Sequence, residues 1–432
     1  MVAVSQPTAS DASEYDVFQQ VFGVSMTSNV AQKCKGKAED LQRKLADSLP
    51  DALTSVGTGW EVVWGPVVWK ADPDRADTHY GNAWYVAKHD SVVFEDGTSH
   101  PTYVVAIAGT SGMYDVIYED AAIDSVVDPD VWAGNGSIGL KIEPTYVKND
   151  PSLPKDKAFI SLGFSRGLFQ PVNKAPPQGN PGYPHTLPEF LQTIQPIPSE
   201  PAPRLVFTGH SLGGALAPTL AYVLCKAGVF SLFSKDLSNV YVYPTAAPTP
   251  GNLVFAENFK KFFPPRPSTP AVFYKCWNVT IINHFDIVPC AYAVDPKYAP
   301  EILSSVPGMY GNKWLTIVEA AVAWLKYMAH TLYVPIALSP FDSPIPKPST
   351  KPNNVWAYLD AAHIQHMDAY LKAILNIAHH KQLCDSSKLD DLKLHPVLGH
   401  IVYRQLQVEE HGGVLADGMF EVPNWPGDEK IF

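Results

Sequence analysis

Charge is scarce in this 432-residue chain. Asp, Glu, Lys and Arg make up 17% of it, and the formal net charge is −11. A surface of that sign repels phosphate backbones, which argues against a nucleic-acid partner. It also gives no electrostatic pull toward anionic lipid. Cysteines number five, Cys34, Cys225, Cys276, Cys290 and Cys384, with no C-x-x-C pair among them. Metal and redox motifs are therefore missing, and no disulfide framework is expected at this length, although one or two bridges stay open. No H-E-x-x-H motif or paired Cys/His spacing occurs, which disfavours a zinc enzyme, and neither metal nor cofactor is expected. No internal repeat is visible. The longest apolar stretch, Trp314 to Met328, is broken by Glu319 and Lys326 and is too short to read as a transmembrane segment. Residues Met1 to Asp16 lack an apolar run and carry Asp11, Glu14 and Asp16. They do not read as a secretory signal, so the expected location is cytoplasmic, or the chain is a processed or non-classically secreted form.

What the chain does have is a globular balance, with 46% hydrophobic residues, and 40 prolines that imply many stiff, irregular connections. Apolar residues at three- and four-residue spacing (Val17, Phe18, Val21, Phe22, then Leu41 and Leu45) predict helix across residues 14–49, ended by Pro50 and Gly57. Trp60–Trp69, Ala83–Phe94 and Thr102–Ala108 read as strands, the last apolar throughout as in a strand buried on both faces. Ala158–Phe164 reads as a strand or strand-like loop. A proline-rich stretch follows at 171–203, with a short helix at Leu187–Ile194. The order then becomes strand (Arg204–Thr208), helix (to about Leu224, with a kink expected at Pro218), strand (Asn239–Tyr243), helix (Pro250–Phe263) and strand (Cys276–Ile282). That alternation predicts a mostly parallel sheet with helices on both faces. Beyond it lie an apolar helix at 312–328, a second proline-rich stretch at 335–352 and a long helix at 354–378.

The segment Thr208-Gly209-His210-Ser211-Leu212-Gly213-Gly214 carries the chemistry. G-x-S-x-G alone is a weak signal, but here an apolar strand precedes it and a helix follows. So tight a turn strains the serine backbone and needs small residues two positions to either side, which Gly209 and Gly213 supply. It lifts the Ser211 hydroxyl above the sheet and places it at a helix N-terminus, where the Leu212 N–H is the natural first donor to a developing oxyanion. His210 is expected to point away from the cleft in a structural role.

Several blocks together resemble the class 3 lipases, the fungal and plant triacylglycerol lipase type. Gly209-His210-Ser211-Leu212-Gly213-Gly214-Ala215 is similar to the family's elbow. Val105-Ala106-Ile107-Ala108-Gly109-Thr110 is similar to its oxyanion strand, Leu162-Gly163-Phe164 to its Gly-Phe block, and Pro248, Gly251, Asn252 and Phe255 to its Pro-Arg-x-Gly-Asn segment. Asn283-His284-Phe285-Asp286-Ile287-Val288-Pro289 resembles its N-x-x-D-x-V-P block. The likeness spans about residues 100–290, and more weakly to about 375. Ala108 stands where the family usually has arginine, and Ala247 and Thr249 flank Pro248 where it prefers other residues, so this is a divergent member. The resemblance implies an α/β-hydrolase domain over 58–432, with insertions at 171–203 and 296–352. An N-terminal helical segment, 1–57, packs on its core.

By the same resemblance Asp286 is the catalytic acid. The histidine must follow it, and eight do: His330, His363, His366, His379, His380, His395, His400 and His411. His366, ahead of Tyr370, fits the family best, with His363 as the alternative. Thr110 is the second oxyanion candidate. Two segments suit a cap over the site. One follows Thr110 (Met113, Tyr114, Val116, Ile117, Tyr118). The other is 312–328, whose apolar residues cover nearly every face, as in a core helix or a lid. The expected activity is hydrolysis of carboxylic esters, lipid esters among them, through an acyl-enzyme, with transient contact at a lipid interface left open. An acyltransferase using the same residues, and a catalytically silent lipase-like binding protein, are the competing readings.

Overall fold

The computed structural model describes residues 15–109, 122–197, 200–311, 316–330, 332–379 and 382–384. A seven-stranded sheet runs in simple sequence order: β1 (Glu61–Trp69), β2 (Asn82–Val93), β3 (Ser99–Ile107), β4 (Arg204–His210), β5 (Val240–Thr245), β6 (Thr280–Asn283) and β7 (Leu338–Phe341). The first three strands pair antiparallel. From β3 onward every neighbour is parallel, as an α/β-hydrolase architecture requires. The β3–β4 register sets Val105 beside Phe207 and Ile107 beside Gly209, which brings the end of β3 to the serine turn.

Both faces of the sheet are covered. Val105 and Ile107 of β3 point into one core, and Val104 and Ala106 point into the other. The first core is closed by α3 (Leu162–Asn173) and α4 (Leu212–Lys226), the second by α1 (Val17–Thr27) and α2 (Ala38–Thr54). Helix α1 starts on a capping box, with Asp16 accepting from the Gln19 N–H while Gln19 accepts from Asp16 N–H. Helix α2 buries Leu41, Leu45, Leu49 and Leu53, one residue per turn. Two further helices matter below, α5 (Thr316–Ala329) and α6 (Val355–His363); α6 runs into two π-helical turns, Ile364–Asp368 and Leu371–Leu375.

Three local expectations are corrected. Pro50 does not end α2, which continues to Thr54, since one missing N–H and one displaced carbonyl are outweighed by the buried leucine stripe. After a two-residue strand at Ile160–Ser161, the segment expected to be strand-like becomes α3, capped by the Ser161 hydroxyl on Phe164 N–H. Helix α5 is not covered all round: Val322, Leu325 and Ala329 are buried, whereas Trp324 and Tyr327 are exposed. Its expected N-terminal end, with Trp314 and Leu315, lies outside the described residues.

One covalent link spans the fold. Cys34, after α1, bonds Cys384, beyond the π-helical turns, across 350 residues of chain. Leu383 N–H donates to Val30 C=O beside it, at 2.8 Å. Closing so long a loop restricts the unfolded chain. Cys34→Ser, or reduction, is expected to lower unfolding stability by roughly 2–5 kcal/mol, read by denaturant melts with and without a thiol. Identical midpoints would contradict this link.

Candidate active site

Strand β4 ends at His210 and α4 begins at Leu212, so Ser211 alone makes the corner. It does so at φ 61° and ψ −126°, a conformation that side-chain-bearing residues rarely adopt. Two features hold it there. Ser211 N–H donates to Thr245 C=O on β5 at 3.0 Å. The glycines two residues away pack where no Cβ could stand: one on Gly209 would lie 2.2 Å from the Gly213 backbone, and one on Gly213 would lie 2.1 Å from the Ile107 carbonyl oxygen. Leu212 is the first residue of α4, so its N–H has no acceptor within the helix and is available to an anion.

Asp286 follows β6 and is almost wholly buried. Its carboxylate accepts three hydrogen bonds: His366 Nδ1–H at 2.8 Å, the Tyr370 hydroxyl at 2.9 Å, and Val288 N–H at 3.0 Å. Because Nδ1 donates to the carboxylate, the neutral ring carries its lone pair on Nε2. Nε2 is buried and has no hydrogen-bond partner among the described residues. A ring with one nitrogen fixed and the other vacant is arranged to take a proton from an incoming hydroxyl. Tyr370 remains a donor at any working pH, since burial and the adjacent Asp286 charge hold its phenol well above the usual tyrosine value. It also accepts from Asn283 N–H at 2.9 Å, tying β6 to the π-helical turns. Cys290, beneath Asp286, is kept a neutral thiol by burial and by the same carboxylate.

His210 bridges the two halves. One ring nitrogen bonds Thr245 Oγ1 and the other bonds the backbone carbonyl of His366, both at 2.9 Å, with the two imidazoles 4.8 Å apart. The structure thus brings Ser211, the Leu212 N–H, His210, Asp286 and His366 to one end of the sheet. His363 is exposed, at the end of α6. Thr110 and the apolar segment after it lie outside the described residues, as do His380, His395, His400 and His411. A separate cavity of about 470 Å³, lined by Tyr15, Asp16, His89, Glu95 and Lys275 among others, contains none of the residues above. Lys275 pairs with Asp16 there, and Glu95 accepts from the Trp277 indole N–H.

With that geometry in place, comparison with known proteins is informative. Residues 185–295 match the lipase (class 3) family. Over this stretch the chain is similar to the class 3 lipases. The class 3 lipase match contains Gly209, Ser211, Gly213 and Asp286 but stops short of His366. Among solved structures, M37 lipase is similar over 91% of this chain and 100% of its own, at 22% identity and a TM-score of 0.58, a likeness of fold. The lipase of Rhizopus microsporus var. chinensis matches 66% of this chain and 70% of its own, at 16% identity and a TM-score of 0.36. No curated protein matches.

Two contacts at this site were not foreseen from the sequence. Tyr370 was legible in principle, because it lies four residues beyond His366 and so shares its face. Asn29, whose Oδ1 accepts Gly109 N–H at 2.8 Å, gave no local signal, being 80 residues away. Tyr370→Phe removes one donor to a buried carboxylate. It is expected to cost about 1.5–3 kcal/mol of stability and to lower kcat/KM roughly tenfold, measured by denaturation and ester kinetics; wild-type values in both would contradict the role given to that hydroxyl.

Proposed function

We propose that the chain is a serine hydrolase of carboxylic esters, lipid esters among them. The supporting observation is His366, held by Asp286 through Nδ1 with Nε2 vacant, at the same sheet end as a serine at a strained strand–helix corner. In the proposed reaction Ser211 Oγ attacks the ester carbonyl carbon while its proton passes to His366 Nε2. The carbonyl π electrons move onto oxygen, which the Leu212 N–H and Thr110 stabilise. The C–O bond to the alcohol then breaks, and the alcohol leaves with the proton from His366. Water, deprotonated by the same ring, attacks the acyl-enzyme and returns Ser211 to its starting state. The role of Asp286 is to orient the imidazole and balance its charge.

Ser211 and His366 retain only 7% and 4% of their surface exposed. No described helix is long and apolar enough to cross a membrane, so contact with lipid in this reading is at an interface.

A fluorophosphonate probe is expected to label the wild type and fail on Ser211→Ala, with loss of at least ~10³-fold in kcat for p-nitrophenyl esters. Across a C2 to C16 ester series, detergent is expected to raise activity on the longer chains. An unlabelled wild type would support a silent binding protein instead. His366→Ala is expected to abolish turnover; loss on His363→Ala with His366→Ala active would overturn the assignment of the base.

A further inference from the structure

The segment following α1 was expected to serve only packing. Asn29 in that segment makes a direct connection to the reacting end of the sheet. Its Oδ1 accepts the Gly109 N–H at 2.8 Å. Gly109 ends the β3 edge of the site, and a Cβ built on it would lie 3.2 Å from Ser211 Cβ and 3.6 Å from Asn29 Oδ1. The asparagine amide and the serine therefore flank one residue. Neither Ala108 nor Gly109 has a polar side chain to fix this turn, so it must be held from outside. Asn29 is 2% exposed, and its buried acceptor oxygen is used on Gly109.

We infer that Asn29 is a positioning residue for the end of the strand beside the nucleophile, fixing Gly109 against the serine corner. This inference rests on the hydrolase reading above. The surroundings are built to hold Asn29 still. Five residues on, Cys34 is bonded to Cys384, and Val30 C=O accepts Leu383 N–H. At the other end of α1, Gln19 Nε2–H donates to Ile374 C=O at 2.7 Å. The N-terminal segment thus joins Gly109 to the end of the chain segment that carries His366.

The test is kinetic, normalised to active sites titrated with a fluorophosphonate. Asn29→Ala is expected to lower kcat per titrated site 10- to 100-fold on a short p-nitrophenyl ester, with KM within twofold. It should weaken inhibition by an alkyl trifluoromethyl ketone, whose serine adduct carries the oxyanion, by the same factor. A purely structural residue would reduce the titrated fraction and leave kcat per site and ketone affinity unchanged, and that result overturns the inference. Asn29→Asp keeps the size and the acceptor but sets a negative charge beside the oxyanion; it too should depress kcat per site without moving KM, and a value within twofold of wild type counts against the proposal. If neither variant folds, a crystal structure of the wild-type ketone adduct decides. The Asn29 Oδ1 to Gly109 N–H bond is expected to persist there, and its absence overturns the role. A wild type that is never labelled would instead defeat the hydrolase reading, a different failure.

Discussion

The serine corner exists because three backbones meet where only glycine leaves room. Strand β4 must become helix α4 within one residue, and Gly213 at the start of that helix lies against the Ile107 carbonyl of β3 while Gly209 lies against Gly213. A methyl group at either position would force strand and helix apart. Their close approach throws Ser211 into positive φ and leaves the Leu212 N–H open at the helix start. The parallel pairing of β3, β4 and β5 serves this corner directly, since β3 supplies the facing carbonyl and β5 the Thr245 oxygen that anchors Ser211 N–H.

Around that corner, several buried polar groups are fully matched. Asp286 has three donors, Tyr370 both gives and accepts, and His210 uses both ring nitrogens. Among the described residues His366 Nε2 has no partner, and neither do Asn29 Nδ2, Asn82 Nδ2, Trp84 Nε1 and Thr249 Oγ1. A vacant buried polar atom is costly to keep; of these, His366 Nε2 is the one that the proposed reaction uses.

How much of this could be read from the sequence varied with the range of the interaction. The elbow was legible because its cause is local: glycine spacing, an apolar strand before and a helix after. The buried central strand was legible because Tyr103 to Ala108 has no polar alternation. Helix ends were harder. Pro50 looked like a stop and was not, because burial of Leu49 and Leu53 outweighs one lost hydrogen bond. Phe164 looked strand-like but sits in a helix started by a serine cap. The meeting of His366 with Asp286 spans 80 residues, and motif resemblance rather than periodicity pointed to it. Asn29 on Gly109 and Cys34 on Cys384 had no local sign at all, since such contacts are set by how α1 lies across the sheet.

The central proposal is that a single oxygen at a strained corner gives its proton to the vacant nitrogen of a carboxylate-bound imidazole. A crystal structure of the protein after reaction with an alkyl phosphonate tests it most directly. Phosphorus should be bonded to Ser211 Oγ, a phosphonyl oxygen should accept from Leu212 N–H, and His366 Nε2 should lie within about 3.2 Å of Oγ or the adduct. Phosphorus on any other residue, or a His366 ring turned away from Ser211 while still bound to Asp286, would contradict the account.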